Sequence, residues 1–261
     1  MSRVLLIDAD VLAYKMAAKI EQAVEWEPGY WTWHCDEFAV KDAIDAEIER
    51  LREALDADDH KLCLTDSDGN FRKTVLPSYK SNRASVKKPL VLKSIREWLI
   101  SERGAYLKPM LEGDDVMGIL ATWPGIKGEK IIVSIDKDMK TVPGLYYRDA
   151  DSGVVEITET EADYWHLFQT LTGDVTDGYS GCPGIGSKKA QAILEPFSDT
   201  SDRPKLFDPA GAWSRVVEVY EEAGLSEADA LQQARVARIL RASDYDFKKK
   251  EPRLWQPTPR R

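Results

Sequence analysis

Cysteine is scarce in this chain of 261 residues, which holds only Cys35, Cys63 and Cys182. Their odd number, wide spacing and lack of any C-x-x-C pair exclude a zinc site and the disulfide framework of a secreted domain, and predict reduced thiols in a cytoplasmic protein. The three histidines, His34, His60 and His166, share no partner pattern, which argues against a nucleophilic triad. Long apolar runs are missing as well. The first, Val4 to Ile7, is broken by Asp8 and Asp10 and has no cleavage signature, so it reads as neither signal peptide nor membrane span. Positive charge is also short: 36 Lys and Arg face 45 Asp and Glu, a net charge of −9 that taken alone counts against a nucleic-acid partner.

What is abundant is acid, and its placement says more than its amount. Asp8 ends Val4-Leu5-Leu6-Ile7, Asp66 ends Leu62-Cys63-Leu64-Thr65, and Asp136 and Asp138 end Ile131-Ile132-Val133-Ser134-Ile135. Glu112, Asp114 and Asp115 precede an apolar helix, and Asp174 and Asp177 sit in Gly-Asp-Val-Thr-Asp-Gly. If the runs are parallel strands of one sheet, their carboxyl ends share the edge where open α/β folds place active sites. Two unit charges about 4 Å apart repel by roughly 4 kcal/mol at an effective dielectric of about 20. Such a cluster needs bound cations or raised pKa values, and oxygen-only ligands select hard divalent ions, Mg2+ or Mn2+, over zinc.

The chain's length and 43% hydrophobic content suit one large domain, or a core with a smaller partner. Short apolar runs alternate with helical periodicity in the first part, which predicts a parallel α/β sheet. Trp26 to Trp33 interrupts the pattern around Pro28-Gly29 and predicts a hairpin, packed on a sheet edge rather than projecting. Val40, Ile44, Ile48, Leu51 and Leu55 mark a helix, as do Leu90 to Ile100 and Asp114 to Ala121. A second hairpin, Leu145 to Arg148 with Val154 to Ile157, leads to Thr158-Glu159-Thr160-Glu161, the opening of a capped helix. From Gly173 onward the sequence reads as all-helical, with a poorly ordered tail beyond Lys248. Asp10 reads as a helix N-cap and Asp68 as a turn residue. There is no internal repeat.

Two further segments carry binding chemistry. Between Phe71 and Lys93 the basic residues Arg72, Lys73, Lys80, Arg83, Lys87, Lys88 and Lys93 are interrupted by no acid. Cations there suit phosphates, and Tyr79 suits stacking on an unpaired base. Gly181-Cys182-Pro183-Gly184-Ile185-Gly186-Ser187-Lys188-Lys189-Ala190 opens a helix whose free N–H groups and flanking lysines suit a phosphate. It lacks the G-K-[ST] of a P-loop and follows no strand, so it is not a nucleotide-binding fingerprint.

In conjunction these strings resemble the flap endonuclease and 5′→3′ exonuclease family, in particular its stand-alone phage enzymes and the nuclease domain of bacterial DNA polymerase I. The resemblance rests on Leu-Ile-Asp-Ala-Asp at 6–10, Thr-Asp with Phe-Arg-Lys and Tyr-Lys-Ser-Asn-Arg at 65–83, Glu-Gly-Asp-Asp at 112–115, Ser-Ile-Asp-Lys-Asp at 134–138, Gly-Asp-Val-Thr-Asp at 173–177, and the glycine turn. It implies a PIN-like α/β nuclease core over 1–172 and a helix-three-turn-helix duplex-binding region over 173–261. By motif, Asp8, Asp66, Glu112 and Asp114 would hold one metal ion and Asp136, Asp138 and Asp174 a second, with Asp115 and Asp177 as outer members. Asp8, Lys80 and Arg83 would be catalytic. Tyr79, Lys80 and Arg83 would handle the single-stranded 5′ end, Arg72, Lys73, Lys87 and Lys88 would add DNA contacts, and Gly184, Ile185, Gly186, Ser187, Lys188 and Lys189 would hold the duplex, with a potassium ion at 184–187.

The implied activity is two-metal hydrolysis of DNA, or of RNA in an RNA–DNA hybrid, at a 5′ end, flap or junction. The implied protein is a monomer in the cytoplasm of a bacterium or phage-infected host. Two rivals make different demands. A PIN-type ribonuclease shares the acids but needs no duplex-gripping turn, and a non-catalytic branched-DNA binder would lack acids that are present here.

Overall fold

The computed structural model describes residues 2–83, 87–199 and 204–257. At its centre is β1 (Arg3–Asp8), which is apolar on both faces: Val4 and Leu6 enter one core cluster, Leu5 and Ile7 the other. Burying Leu5 and Leu6 completely contributes about 1.5–3 kcal/mol each. The chain continues through α1 (Ala9–Ile20), a hairpin of β2 (Gln22–Glu27) and β3 (Tyr30–His34), and α2 (Glu37–Ala54). Then come β4 (Asp59–Leu64), the short α3 (Arg72–Val75), α4 (Leu92–Ser101), β5 (Tyr106–Leu107), α5 (Gly113–Thr122) and β6 (Glu129–Val133). β7 (Gly144–Tyr147) and β8 (Val154–Ile157) complete the sheet, in the order β5-β4-β1-β6-β7-β8. All neighbours are parallel except β7 and β8, which form the expected antiparallel hairpin.

Register sets the function-bearing edge. Ile7 is level with Leu62 on one side and Val133 on the other, so β1, β4 and β6 end together. The strand expected to reach Ile135 stops at Val133, and Ile135 is exposed.

The carboxyl half is α6 (Glu159–Thr172), α7 (Ser187–Leu194), α8 (Pro209–Glu222) and α9 (Glu227–Ala237), followed by a small ribbon of β9 (Tyr245–Asp246) and β10 (Glu251–Pro252). Thr158 and Glu161 form the expected capping box on α6. The expected division after residue 172 falls at the end of α6, whose Tyr164, Leu167 and Leu171 share one apolar cluster with α7, α8 and α9. Residues 239–245 return to the sheet, where Ile239, Leu240 and Tyr245 pack with α5. α6 and the last turns therefore join both halves. The tail expected to be poorly ordered is built up to residue 257, where Trp255 packs edge-on against Trp213 and His166, and residues 258–261 lie outside the described residues.

The tryptophan stretch is a hairpin but not a packed edge. Among the described residues β2 and β3 pair only with each other, and Trp26, Tyr30, Trp31 and Trp33 are all exposed. No helix among the described residues is long and apolar enough to cross a membrane.

Candidate functional site

Asp8 ends β1 and caps α1, its Oδ1 accepting from the Val11 N–H at 3.0 Å and its Oδ2 from Ser134 Oγ at 3.0 Å. The expected cap, Asp10, instead accepts from the Thr65 N–H at 2.7 Å and pairs with Arg96, tying α1 to β4 and α4. Burial raises the Asp8 carboxyl above its ordinary value, and the charge of Asp136 adds to this. Burial also raises Asp114 well above the carboxylate range, helped by the charges of Asp8 and Asp136. Lys80 opposes both shifts.

Lys80 owes its position to backbone geometry. It has φ +53°, and its N–H donates to the Asp177 carbonyl at 2.8 Å. Its ammonium donates to Glu112 Oε1 at 2.6 Å and lies 3.4 Å from Asp177 Oδ2. Burial would lower its pKa, but Glu112 and Asp177 outweigh that and raise it. Tyr79 bridges the same two acids, its hydroxyl 2.9 Å from Glu112 Oε2 and 2.8 Å from Asp177 Oδ2. The ring is buried, so the expectation that it stacks on a base is corrected. For Glu112 burial acts upward, but the charges of Arg72 and Lys80 prevail and hold the carboxyl below its usual value.

A second group faces this one across Asp136. Asp136 Oδ1 accepts from the Asp138 N–H at 2.8 Å and opens a one-turn 3₁₀ helix. Asp138 is pushed up to about 7 by burial and by the charges of Asp136 and Asp174. Its Oδ1 accepts from Gln169 of α6 at 2.6 Å. Asp174 Oδ1 accepts from the Thr176 N–H at 2.7 Å, and its Oδ2 lies 3.3 Å from the Lys137 ammonium. Against burial, these partners lower its pKa.

Several expected site residues are elsewhere. Arg72 and Asp115 are buried against each other, with Arg72 donating to both Asp115 oxygens at 2.6 and 2.8 Å and to the carbonyls of Val236 and Arg238. Arg72 is thus no DNA contact. Asp115, which also accepts from the N–H groups of Glu112 and Leu240, has no oxygen free for a metal. Both Asp66 oxygens are taken by backbone, Oδ1 from Asp68 at 3.0 Å and Oδ2 from Met110 at 2.7 Å, which makes it the residue that shapes the 66–70 turn. Lys73 and Lys88 are exposed. Lys87 reaches Glu21 at 2.7 Å. Arg83 ends a one-turn 3₁₀ helix, and its side chain lies outside the described residues.

At the glycine turn, a Cβ added to Gly184 (φ +73°) or Gly186 would meet open space. Ser187, Lys188 and Lys189 open α7 in full exposure, and Ile185 is half-buried. Lys189 folds back to donate to the Gly184 carbonyl at 2.9 Å.

Sequence reasoning missed Ser134, Lys137, Gln169 and Tyr179, although Ser134 and Lys137 lie inside a string it singled out. Tyr179 is buried beside Asp138, Asp174 and Asp177. Gln169 carried no signal, because only the packing of α6 on the 3₁₀ turn brings it to Asp138.

Among the described residues, no three Asp, Glu, His or Cys side chains stand close enough to grip an ion as they lie. The donor chemistry still fits a hard divalent cation. The donors are all oxygens, and Asp8, Asp114 and Asp138 are each pushed toward protonation by burial and then by a neighbour's charge, a stress that a cation relieves.

Known proteins share this fold. Two solved structures of phage T5 proteins superpose on the chain: a 5′-exonuclease mutant (TM-score 0.61, 14% identity, 91% of this chain and 88% of that one), and a flap endonuclease complexed with DNA and metal ions (TM-score 0.63, 14% identity, 90% and 88%). In sequence, the exonuclease of Escherichia phage T7 is 34% identical over 97% of this chain and 93% of its own length. A Vibrio parahaemolyticus flap endonuclease, Xni, is 34% identical over 51% of this chain and 56% of its own. The family model for the 5′-3′ exonuclease N-terminal, resolvase-like domain matches residues 3–163, and with the phage relatives this establishes that the chain belongs to the 5′–3′ exonuclease family of nucleases.

Proposed function

We propose that the chain hydrolyses DNA phosphodiesters at a 5′ end or 5′ flap, aided by two divalent ions, Mg2+ or Mn2+. The observation that carries this reading is the set of mutually opposed carboxylates at the level ends of β1 and β6, with Lys80 among them. Asp8, Glu112 and Asp114 would hold one ion, and Asp136, Asp138 and Asp174 the other. When bound, the ions supply an activated water and stabilise the leaving 3′ oxygen.

The chain's own groups prepare that chemistry. Ser134 and the Val11 N–H fix both oxygens of Asp8, and Gln169 aims Asp138. Tyr79 holds Glu112 and Asp177 to one hydroxyl, so Asp177 acts here as a positioning residue rather than a ligand. Lys80 neutralises Glu112 until substrate arrives and then steadies the scissile phosphate as its charge builds. Arg83, three residues on, belongs to the same grip by its motif. The open backbone at Gly184 and Gly186, with Lys188 and Lys189, would hold duplex phosphates without reading sequence. A potassium ion there would require Lys189 to release the Gly184 carbonyl.

The test is cleavage of 5′-labelled duplex, 5′-flap DNA and an RNA–DNA hybrid with and without Mg2+, beside Asp174→Asn. Metal-dependent release of 5′-phosphorylated product, lost in the variant, is expected. Cleavage that survives the substitution, or absence of cleavage from every DNA with metal present, would overturn the two-metal reading. The hybrid lane decides whether the activity extends to RNA.

A further inference from the structure

The exposed hairpin of β2 and β3 stands on the same side of the molecule as the acids. α2 has 18 residues and spans about 27 Å, longer than the six-residue strands at about 20 Å. Its last turn is level with the amino ends of the sheet, where Arg3 Nη1 donates to the Leu55 carbonyl. Arg50 already lines one cavity with Tyr147 at the carboxyl end of β7. The excess of helix over strand length therefore carries the first turns of α2 past the catalytic edge. α1 leaves Asp8 in the same direction for 12 residues, about 18 Å, and is met by the returning chain where Cys35 Sγ approaches the Ala17 carbonyl. The hairpin crowns this projection.

Its surface is aromatic. Trp26, Tyr30, Trp31 and Trp33 are 63, 62, 52 and 48% exposed. In the register Ala23↔Trp33 and Glu25↔Trp31, Trp31 and Trp33 are two residues apart and share one face. Trp26 turns to the other face and donates to Thr32 Oγ1 at 2.7 Å. The shared face meets the basic segment. The Lys87 ammonium lies 2.9 Å from the centre of the Trp33 ring, and Glu21 accepts both from Lys87 and from the Leu90 N–H. Lys80, among the acids, and Lys87, on the tryptophan, belong to one basic segment of the sequence.

Negative charge is partly offset here: of the five acids from Glu21 to Glu37, two are paired with lysines and two more are hydrogen-bonded to backbone. Glu21 holds Lys87, Glu25 accepts from the Gly29 N–H, Asp36 caps α2, and Glu37 holds Lys41. A ring that holds the Lys87 ammonium, with the exposed Lys88 next in the chain, has the two elements of a single-strand platform, a stacking face and cations for phosphate.

We propose that the hairpin is a stacking platform for unpaired nucleobases of the 5′ strand, with bases on Trp31 and Trp33 and phosphates on Lys87 and Lys88. Two strand residues span about 6.8 Å, two nucleotide steps of about 3.4 Å, so neighbouring indoles suit alternate bases of one strand. On binding, a base takes the place of the Lys87 ammonium over Trp33 and the lysine turns to phosphate. This rests on the DNA reading above.

The experiment measures binding by fluorescence anisotropy without divalent metal, so that cleavage plays no part. The ligands are a blunt duplex, the same duplex with a 5′ single-stranded tail, and that duplex with an abasic tail. Trp31→Ala/Trp33→Ala is expected to lose about tenfold in affinity for the tailed duplex alone. Trp31→Phe/Trp33→Phe, which keeps two rings, should recover it, and wild type should bind the abasic tail no better than the alanine variant does. An unchanged affinity, an equal loss for blunt and tailed duplex, or abasic and base-carrying tails bound alike would overturn the platform. The first of these would leave the aromatic face to a protein partner. Failure of the cleavage assay would instead count against the nuclease reading while leaving this measurement legible.

Discussion

Arg72 and Asp115 form a two-pronged ion pair at 2.6 and 2.8 Å, both side chains wholly enclosed, beneath the floor of the acid cleft. The same guanidinium donates to the carbonyls of Val236 and Arg238, so one residue of the basic segment clasps the end of α9 to α5. Breaking such a pair from one side leaves an uncompensated buried charge, which costs about 3–5 kcal/mol. Arg72→Met should therefore lower stability to urea by that amount, while the salt dependence of DNA binding per folded molecule stays at the wild-type slope. A flattened slope would return Arg72 to the DNA interface.

The pair also marks where the sequence was legible and where it was not. The sheet and its level strand ends could be read because apolar periodicity and strand-end acids are local patterns. Whether a charge faces solvent or protein is not local. Arg72 and Lys73 are neighbours in one basic run, yet one is enclosed by residues more than 160 positions away and the other is exposed. Tyr79 has the composition of a stacking residue and the environment of a hydrogen-bonding strut. Asp10 and Asp8 have the same capping chemistry, and only the proximity of Thr65 and Arg96 assigns Asp10 to another task.

Lys80 carries positive charge into the acid cluster, and its loss should be felt twice. Lys80→Met is expected to reduce cleavage by about a hundredfold or more through lost stabilisation of developing phosphate charge. It also leaves Glu112, Asp8 and Asp114 to oppose one another without that cation. Added Mg2+ should then raise the melting temperature of the variant more than that of wild type. Equal shifts would show that Lys80 and the metal do not answer the same electrostatic stress.

Gly118 is the closest approach between α5 and the returning carboxyl segment. A Cβ placed there would lie 2.4 Å from the Leu240 carbonyl oxygen, with Ile239 and Val142 behind it. Helix propensity alone favours alanine over glycine by about 1 kcal/mol, so an ordinary helical site would gain. Here the backbone contact has to open, and Gly118→Ala should instead destabilise by about 1–3 kcal/mol. A rise in the urea midpoint would mean the segment yields without loss.

His166 provides the pH dependence furthest from the acids. It is buried in α6, its Nε2 2.8 Å from the Ala234 carbonyl and its ring edge-on to Trp255. Burial, then the charge of Arg238, pushes its pKa well below the ordinary value, and the hydrogen bond to Ala234 only partly resists. The folded ring stays neutral while the unfolded one takes a proton near pH ~6.5. The contribution of this group is thus intact above about 6.5 and is lost as pH falls through the lowered folded value, at up to about 1.4 kcal/mol per pH unit. Urea stability measured from pH 8 to 5 should fall more steeply below about 6.5 for wild type than for His166→Gln, which offers a neutral donor with nothing to titrate. Parallel curves for the two proteins would show that the imidazole accepts its proton without opening the α6–α9 packing.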